Sequence, residues 1–342
     1  MGRRVVRHGR LRNDDPAGLH VNVSASCNLG CKMCPYLGVH DNPGYVSEMS
    51  EETFRTLLPA IARLPSLHIS GAGEPFFNRD VVRFIQLARE ANPTIDVDIT
   101  TNGTLITETM ARALIGVHLT RLVISLDGAT ERTVGAIRLG INFRKVLDHI
   151  RTLTRLKQEL GSPWPKVRVN YMVGYGSYAE LPEFMRLAWE IGVEEVHLLD
   201  IFDGTAEAFE HNLVNSMARD QARALRDAKK LADGRGIRLT LPYTQHNACL
   251  HPYTPHVSEQ GLVSPCCYVD YDGRTFWQGA SSVRLPTIDY GNINSDAFGE
   301  IWTSPAYTEL RARNKRGDFP DFCRTCHSAR VATSRAVHDA MD

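Results

Sequence analysis

Six short apolar runs, each followed by a stretch of helical period, constrain the fold of this chain more than any other feature. The runs cover residues 19–24, 67–70, 95–100, 121–127, 167–173 and 195–200. The helical stretches cover residues 51–63, 79–91, 108–116, 143–160, 179–191 and 218–233, with Ser50 and Thr107 as caps of the first and third. A half-buried strand repeats its apolar side chains every second residue and a surface helix every third or fourth, so the two periods separate the elements. Strands that alternate with helices run parallel, because the chain must cross back between them. The expected fold class is therefore α/β: a partial (β/α)6 barrel over residues 19–240, with its chemistry at the carboxyl ends of the strands. A doubly wound open sheet is the other arrangement this pattern allows.

One face of these runs is apolar (Leu19, Val21, Leu67, Ile69, Val97, Ile99, Leu122, Ile124, Val167, Val169, Val196 and Leu198 among others) and should meet the helices. The other carries His20, Asn22, His68, Asp98, Thr100, Ser125, Asp127, Arg168, Asn170 and His197. A closed barrel normally fills its centre with Val, Ile and Leu. A centre this polar is costly unless it is wet or internally paired. The expectation is a cavity for a polar, hydroxylated small molecule. Asn22, His68, Asp98 and His197 are its substrate-binding candidates, and His68 and Asp98 are also catalytic candidates. Pairing among these groups and with water is the alternative.

The first run leads into Cys27-Asn28-Leu29-Gly30-Cys31-Lys32-Met33-Cys34, three thiols spaced C-x3-C-x2-C. Thiolates converging from one short loop suit an iron–sulfur cluster. A cubane has one more iron than three thiolates cap, so one iron stays open to a small molecule. A structural zinc loop usually brings a fourth local ligand.

This spacing resembles the signature of the radical S-adenosylmethionine (SAM) family. The resemblance implies that the open iron of a [4Fe-4S] cluster chelates SAM. One electron then splits the sulfonium, releasing a 5′-deoxyadenosyl radical that abstracts a hydrogen atom. Met33 stands where the family places an apolar or aromatic residue against adenine. Gly71-Ala72-Gly73-Glu74-Pro75 resembles the family's GGEP element, which puts Gly73 and Glu74 at the SAM amino group, with Ala72 in place of one glycine. Thr101-Asn102-Gly103 resembles the TNG turn near the ribose, and Ser125-Leu126-Asp127-Gly128 the S-x-D-G element, with Ser125 a SAM contact. By the same resemblance Arg138 meets the SAM carboxylate and Asn170 lies near the ribose. The matches span about residues 19–200.

After residue 240 the alternation stops, and residues 241–342 form a second unit. A short cysteine-rich tail without a large core of its own needs a metal to hold it. Cys249, Gly261, Cys266-Cys267, Gly291-Asn292-Ile293, Glu300-Ile301-Trp302, a helix near 307–314 and Cys323-x2-Cys326 follow in order. They resemble the family's SPASM extension in its shortened Twitch form. That implies one auxiliary [4Fe-4S] cluster on Cys249, Cys266, Cys323 and Cys326; zinc on the same thiols is the alternative. Cys267 is the spare thiol: a hydrogen donor to a substrate radical, a substitute ligand, or a small buried hydrophobe.

The formal net charge is zero, which implies no general attraction to nucleic acid or membrane. The basic arm at residues 1–18 lacks the apolar core of a signal peptide, and no apolar run reaches the ~18 residues of a membrane span. A cytoplasmic chain keeps its thiols reduced, which favours metal or catalysis over disulfides. Together these readings point to a radical enzyme acting on a sugar-like or aminocyclitol-like metabolite by dehydrogenation, epimerisation or decarboxylation, as in antibiotic biosynthesis, with a flavodoxin or ferredoxin as electron donor. The first alternative is a peptide maturase, against which stands the short segment ahead of the first strand, too small for a leader-binding domain. The second is a non-catalytic iron–sulfur electron carrier.

Overall fold

The computed structural model describes residues 15–34, 36, 48–70, 72–174, 176–200, 219–240, 251–270, 275–278 and 281–324. Among the described residues thirteen strands run in chain order: β1 (Leu19–Val21), β2 (Gly30–Cys31), β3 (Ser66–Ile69), β4 (Asp96–Thr101), β5 (Arg121–Ser125), β6 (Arg138–Leu139), β7 (Lys166–Val173), β8 (Glu195–Asp200), β9 (Arg238–Thr240), β10 (His256–Val257), β11 (Val263–Ser264), β12 (Thr275–Gln278) and β13 (Ser281–Arg284). The α-helices are α1 (Glu51–Arg55), α2 (Leu58–Ile61), α3 (Val81–Ala91), α4 (Glu108–Gly116), α5 (Glu131–Ile137), α6 (Phe143–Glu159), α7 (Leu181–Glu190), α8 (Arg219–Asp233), α9 (Phe298–Thr303), α10 (Pro305–Lys315) and α11 (Asp321–Arg324).

Nine strands form one sheet in the order β11-β10-β1-β3-β4-β5-β7-β8-β9, parallel throughout except for β11. The six expected strands are its middle, and the fold is the partial (β/α)6 barrel with its C-terminal extension. The sequence pattern did not anticipate the added edges. β9 extends the β8 side, and β10, from beyond residue 240, lies parallel to β1 with His20 opposite His256. Each of these strands spans only two or three residues, too few to establish a period.

The apolar face named above is buried throughout, and the helices cover it with Phe84, Leu114, Ile150, Phe184 and Leu225, one from each of α3, α4, α6, α7 and α8. Each such side chain contributes about 1.5–3 kcal/mol by leaving water. Ser50 and Thr107 cap their helices as expected, accepting from the backbone N–H of Thr53 and Met110. The single helix expected over 51–63 is instead two short helices. Pro59, in the first turn of α2, has no N–H to continue the first one. Helix α5, capped by Thr130, is an addition; it delivers the chain to β6, which pairs antiparallel with β2 inside the cysteine loop. Among the described residues no helix is long and apolar enough to cross a membrane.

Candidate active site

The cysteine loop leaves the carboxyl end of β1 and is tied down at its stem, middle and end. At the stem, Glu74 N–H donates to Ser26 O (2.8 Å). A Cβ on Gly73 would stand 2.3 Å from that same oxygen and 2.6 Å from Ser24 O, so only glycine lets the β3 loop lie this close. In the middle, Asn102 Nδ2 donates to Asn28 Oδ1, and Asn28 Nδ2 to Thr104 Oγ1, both at 2.9 Å. At the end, Gly30 and Cys31 pair with Leu139 and Arg138, and Lys32 N–H donates to Ile137 O (3.0 Å).

Two side chains aim donors at the sulfurs. Arg138 Nη1 stands 3.8 Å from Cys31 Sγ and Asn102 Nδ2 4.0 Å from Cys27 Sγ. Burial raises the pKa of all three thiols, that of Cys34 to about 11, and the electrostatic influence of Cys27 and Cys31 on Cys34 places the trio together. Thiols so buried hold their protons until a metal displaces them. Among the described residues no three His, Cys, Asp or Glu side chains gather as ligands of a single ion. Three local thiolates fit an iron–sulfur cluster, which is held by cysteine sulfur, better than a structural zinc, which takes four protein ligands.

Around this loop stand the residues that the resemblance assigns to SAM. Met33 is buried against Ile137, with Cys31 and Met172 beside them. Glu74 is buried, accepting from Thr101 Oγ1 and from Asn102 N–H, both at 2.7 Å; desolvation lifts its pKa to about 7 against these bonds. It therefore joins the β3 loop to the Thr101-Asn102-Gly103 turn. Arg138 forms an ion pair with Asp127 (2.7 Å), whose side chain has no exposed surface and whose Oδ1 accepts from Met172 N–H. Burial works against the Arg138 charge, but Asp127 and Cys31 outweigh it and the pKa rises. Ser125 and Asn170 are neighbours in register across β5 and β7, and Asn170 Oδ1 is buried without a partner. An orphaned acceptor here suits a ribose hydroxyl, and the surrounding residues fit SAM.

The polar centre is paired rather than bare. Asp98 accepts from Arg121 (2.6 Å), and Arg121 and Arg168 both donate to Glu195 Oε2. His68 meets Thr100 Oγ1 (3.3 Å), and Asn22 Nδ2 donates to the buried Glu259 (2.5 Å). His197 is held neutral, its pKa down to about 4, first by burial and then by Arg168 and Arg238. Asp98 is thus drawn into an ion-pair cluster with Arg121, and Asn22 reaches into the C-terminal extension. His20 lies between His68 and His256, with ring centroids 5.0 and 4.8 Å away, and His256 Nδ1 stands 3.0 Å from the carboxylate of buried Asp270.

In the C-terminal extension, Cys249 and Cys326 lie outside the described residues, while Cys266, Cys267 and Cys323 are half-buried and in no disulfide. Burial raises the Tyr290 pKa first, and both Cys323 and Cys266 add to it, so these two distant cysteines both lie within electrostatic reach of that ring. Gly261 turns β10 into β11 at φ +85°, where a Cβ would meet Asn292 Oδ1 at 2.7 Å. Tyr36, buried beside Cys34, donates its hydroxyl to Cys267 O (3.2 Å) and links the two cysteine sites.

The sequence by itself singles out no role for Asn28, Asp127 or Tyr36. Asn28 and Tyr36 flank the cysteines, and Asp127 sits within the quoted Ser125–Gly128 element, so position alone was a signal for each. Glu259 and Asp270 had none.

The chain belongs to the radical SAM superfamily, whose profile matches residues 21–199. An iron-sulfur cluster-binding SPASM domain matches residues 249–327. It is a radical SAM enzyme, and its cofactors are SAM, a [4Fe-4S] cluster and auxiliary iron–sulfur chemistry in the extension. It is 26% identical over 321 residues (90% of this chain, 86% of the relative) to a tungsten-containing aldehyde ferredoxin oxidoreductase cofactor-modifying protein of Pyrococcus furiosus. It is also 26% identical over 326 residues (91% and 82%) to the PqqA peptide cyclase of Gluconobacter oxydans. Its fold is shared with AdoMet-bound anSMEcpe (TM-score 0.68, 17% identity, 95% and 96% covered) and with Streptococcus suis SuiB bound to the precursor peptide SuiA (TM-score 0.64, 16% identity, 93% and 71% covered).

Proposed function

We propose that this enzyme matures a peptide, abstracting a hydrogen atom from one of its C–H bonds. The observation that carries this reading is the match to the PqqA peptide cyclase, which runs through barrel and extension alike. When bound, the cluster and SAM supply a 5′-deoxyadenosyl radical. The chain's own residues hold and shield. Cys27, Cys31 and Cys34 ligate the cluster while Arg138 and Asn102 donate to two of their sulfurs. Met33 closes an apolar side, Gly73 and Glu74 shape the amino-group end, Arg138 meets the carboxylate, Thr101, Asn102 and Asn170 lie at the ribose, and Ser125 is a further SAM contact. Hydrogen-bond donors to thiolate sulfur favour the anionic ligand. Cys249, Cys266, Cys323 and Cys326 would hold the auxiliary centre, which would supply electron-acceptor chemistry for an oxidation. Cys267 is the hydrogen donor if the outcome is an epimer. A flavodoxin or ferredoxin in the cytoplasm supplies the reducing electron.

A second reading keeps a small hydroxylated substrate, favoured by His20 and His68, which stand side by side on the polar face of the sheet. The test is anaerobic turnover of the fully loaded enzyme with two deuterated substrates in parallel, a short peptide encoded beside its gene and an aminocyclitol. Deuterium appearing in 5′-deoxyadenosine only with the aminocyclitol would overturn the peptide reading. Absence of 5′-deoxyadenosine under all conditions would overturn both.

A further inference from the structure

We propose that the Tyr307 hydroxyl donates a hydrogen bond to a sulfur of the auxiliary iron–sulfur centre and so raises its reduction potential. The proposal rests on Cys266 and Cys323 being ligands of that centre.

Tyr307 has no exposed surface, yet its hydroxyl has no partner. A buried O–H without an acceptor is costly, and native structures rarely keep one without reason. Among the described residues two buried side-chain hydroxyls lack partners, those of Tyr307 and Ser264, and Ser264 stands two residues before Cys266. The two are linked through Tyr290, which stacks on Tyr307 and whose N–H donates to Val263 O, next to Ser264.

The ring has no freedom to turn its hydroxyl elsewhere. It stacks on Tyr290 (centroids 4.4 Å apart, 13° between planes) and meets Trp302 edge-on at 5.1 Å. Arg311 covers Trp302 at 3.7 Å and lies 5.2 Å from the Tyr307 ring. The stack is fastened to the strand that runs into Cys266, since Tyr290 N–H donates to Val263 O (2.8 Å) and Val263 N–H to Gly291 O (2.9 Å). After burial, Arg311 and Tyr290, the charge of Cys266 also bears on Tyr307, which sets the cysteine within electrostatic reach of the phenol. A donor fixed beside a ligand cysteine has its acceptor in the sulfur of that centre. Such a bond favours the more negative, reduced cluster, and hydrogen bonds to sulfur are among the factors that set cluster potentials.

The experiment uses the full chain carrying Cys27→Ala, Cys31→Ala and Cys34→Ala, so that only the auxiliary centre gives a signal. An EPR-monitored redox titration compares it with the same chain bearing Tyr307→Phe. The expected result is unchanged iron content and a lower midpoint, by about a tenfold change in the reduced-to-oxidised ratio, ~59 mV for a one-electron couple. An unchanged midpoint overturns the proposal. If Tyr307→Phe does not retain the cluster, pulsed EPR of the parent chain in deuterium oxide decides. A strongly coupled exchangeable deuteron supports the bond and its absence overturns it. Cys266→Ala or Cys323→Ala that keeps all the auxiliary iron would instead refute the ligand assignment, which is a separate failure.

Discussion

Cys27, Cys31 and Cys34 lie on a single loop that backbone and side-chain bonds fasten to three neighbouring strand ends, whereas Cys266 and Cys323 arrive from segments far apart in the chain and come within electrostatic reach of one aromatic stack. The amino-terminal site is local, and its sulfurs have dedicated donors in Arg138 and Asn102. The C-terminal site is assembled by tertiary structure, from a tight hairpin at Gly261 and a short helix at Asp321–Arg324. A local site can be lost without unfolding the barrel. An assembled one depends on every segment that meets there.

The largest effect should come from replacing Cys27, Cys31 and Cys34 together with alanine. SAM cleavage should fall to background while the auxiliary iron is retained, as iron analysis and 5′-deoxyadenosine release would report. Loss of all iron would mean that the two sites are not independent. Next comes Glu74. Its pKa lies above the ordinary 4.5, at about 7, so the stability tied to its neutral form is whole below pH 4.5 and is lost as pH rises through about 7. That loss amounts to about 3 kcal/mol. Glu74→Gln should remove this slope in urea unfolding between pH 4.5 and 8, and an unaltered slope would show that desolvation is not what governs this carboxyl.

Gly73→Ala should cost about 1–3 kcal/mol, because the new Cβ overlaps the backbone of Ser24 and Ser26 and must push the loop stem away. The amino-terminal cluster should be lost before the auxiliary one, visible as two steps in iron release on heating. The smallest effect is expected for Tyr36→Phe, which removes one neutral hydrogen bond to Cys267 O, about 1 kcal/mol. A melting temperature that does not change would mean that this contact between the sites contributes nothing to their union.

Much of the barrel was legible because alternation writes burial directly into the sequence; Val167, Val169, Tyr171 and Val173 are buried and the residues between them are not. The cysteine loop was legible because its ligands are close in sequence. What escaped depends on distance along the chain. Asn22 looks like a free lumen residue until Glu259 arrives from the extension, and Asp98 looks free until Arg121 pairs with it from the next strand. Neither partner can be chosen from composition or period. The division of helix 51–63 was visible in Pro59, whereas the β10 edge was not, since two residues carry no rhythm.

That β10 edge limits how this enzyme can be dissected. A fragment ending at residue 240, where the sequence pattern changes, would strip β1 of the partner beside His20 and Val21 and leave its N–H and C=O groups open to another chain. The fragment should self-associate through that bare margin. Solubility rescued by adding back a peptide spanning 256–264 would show that the extension serves the barrel as a missing stave.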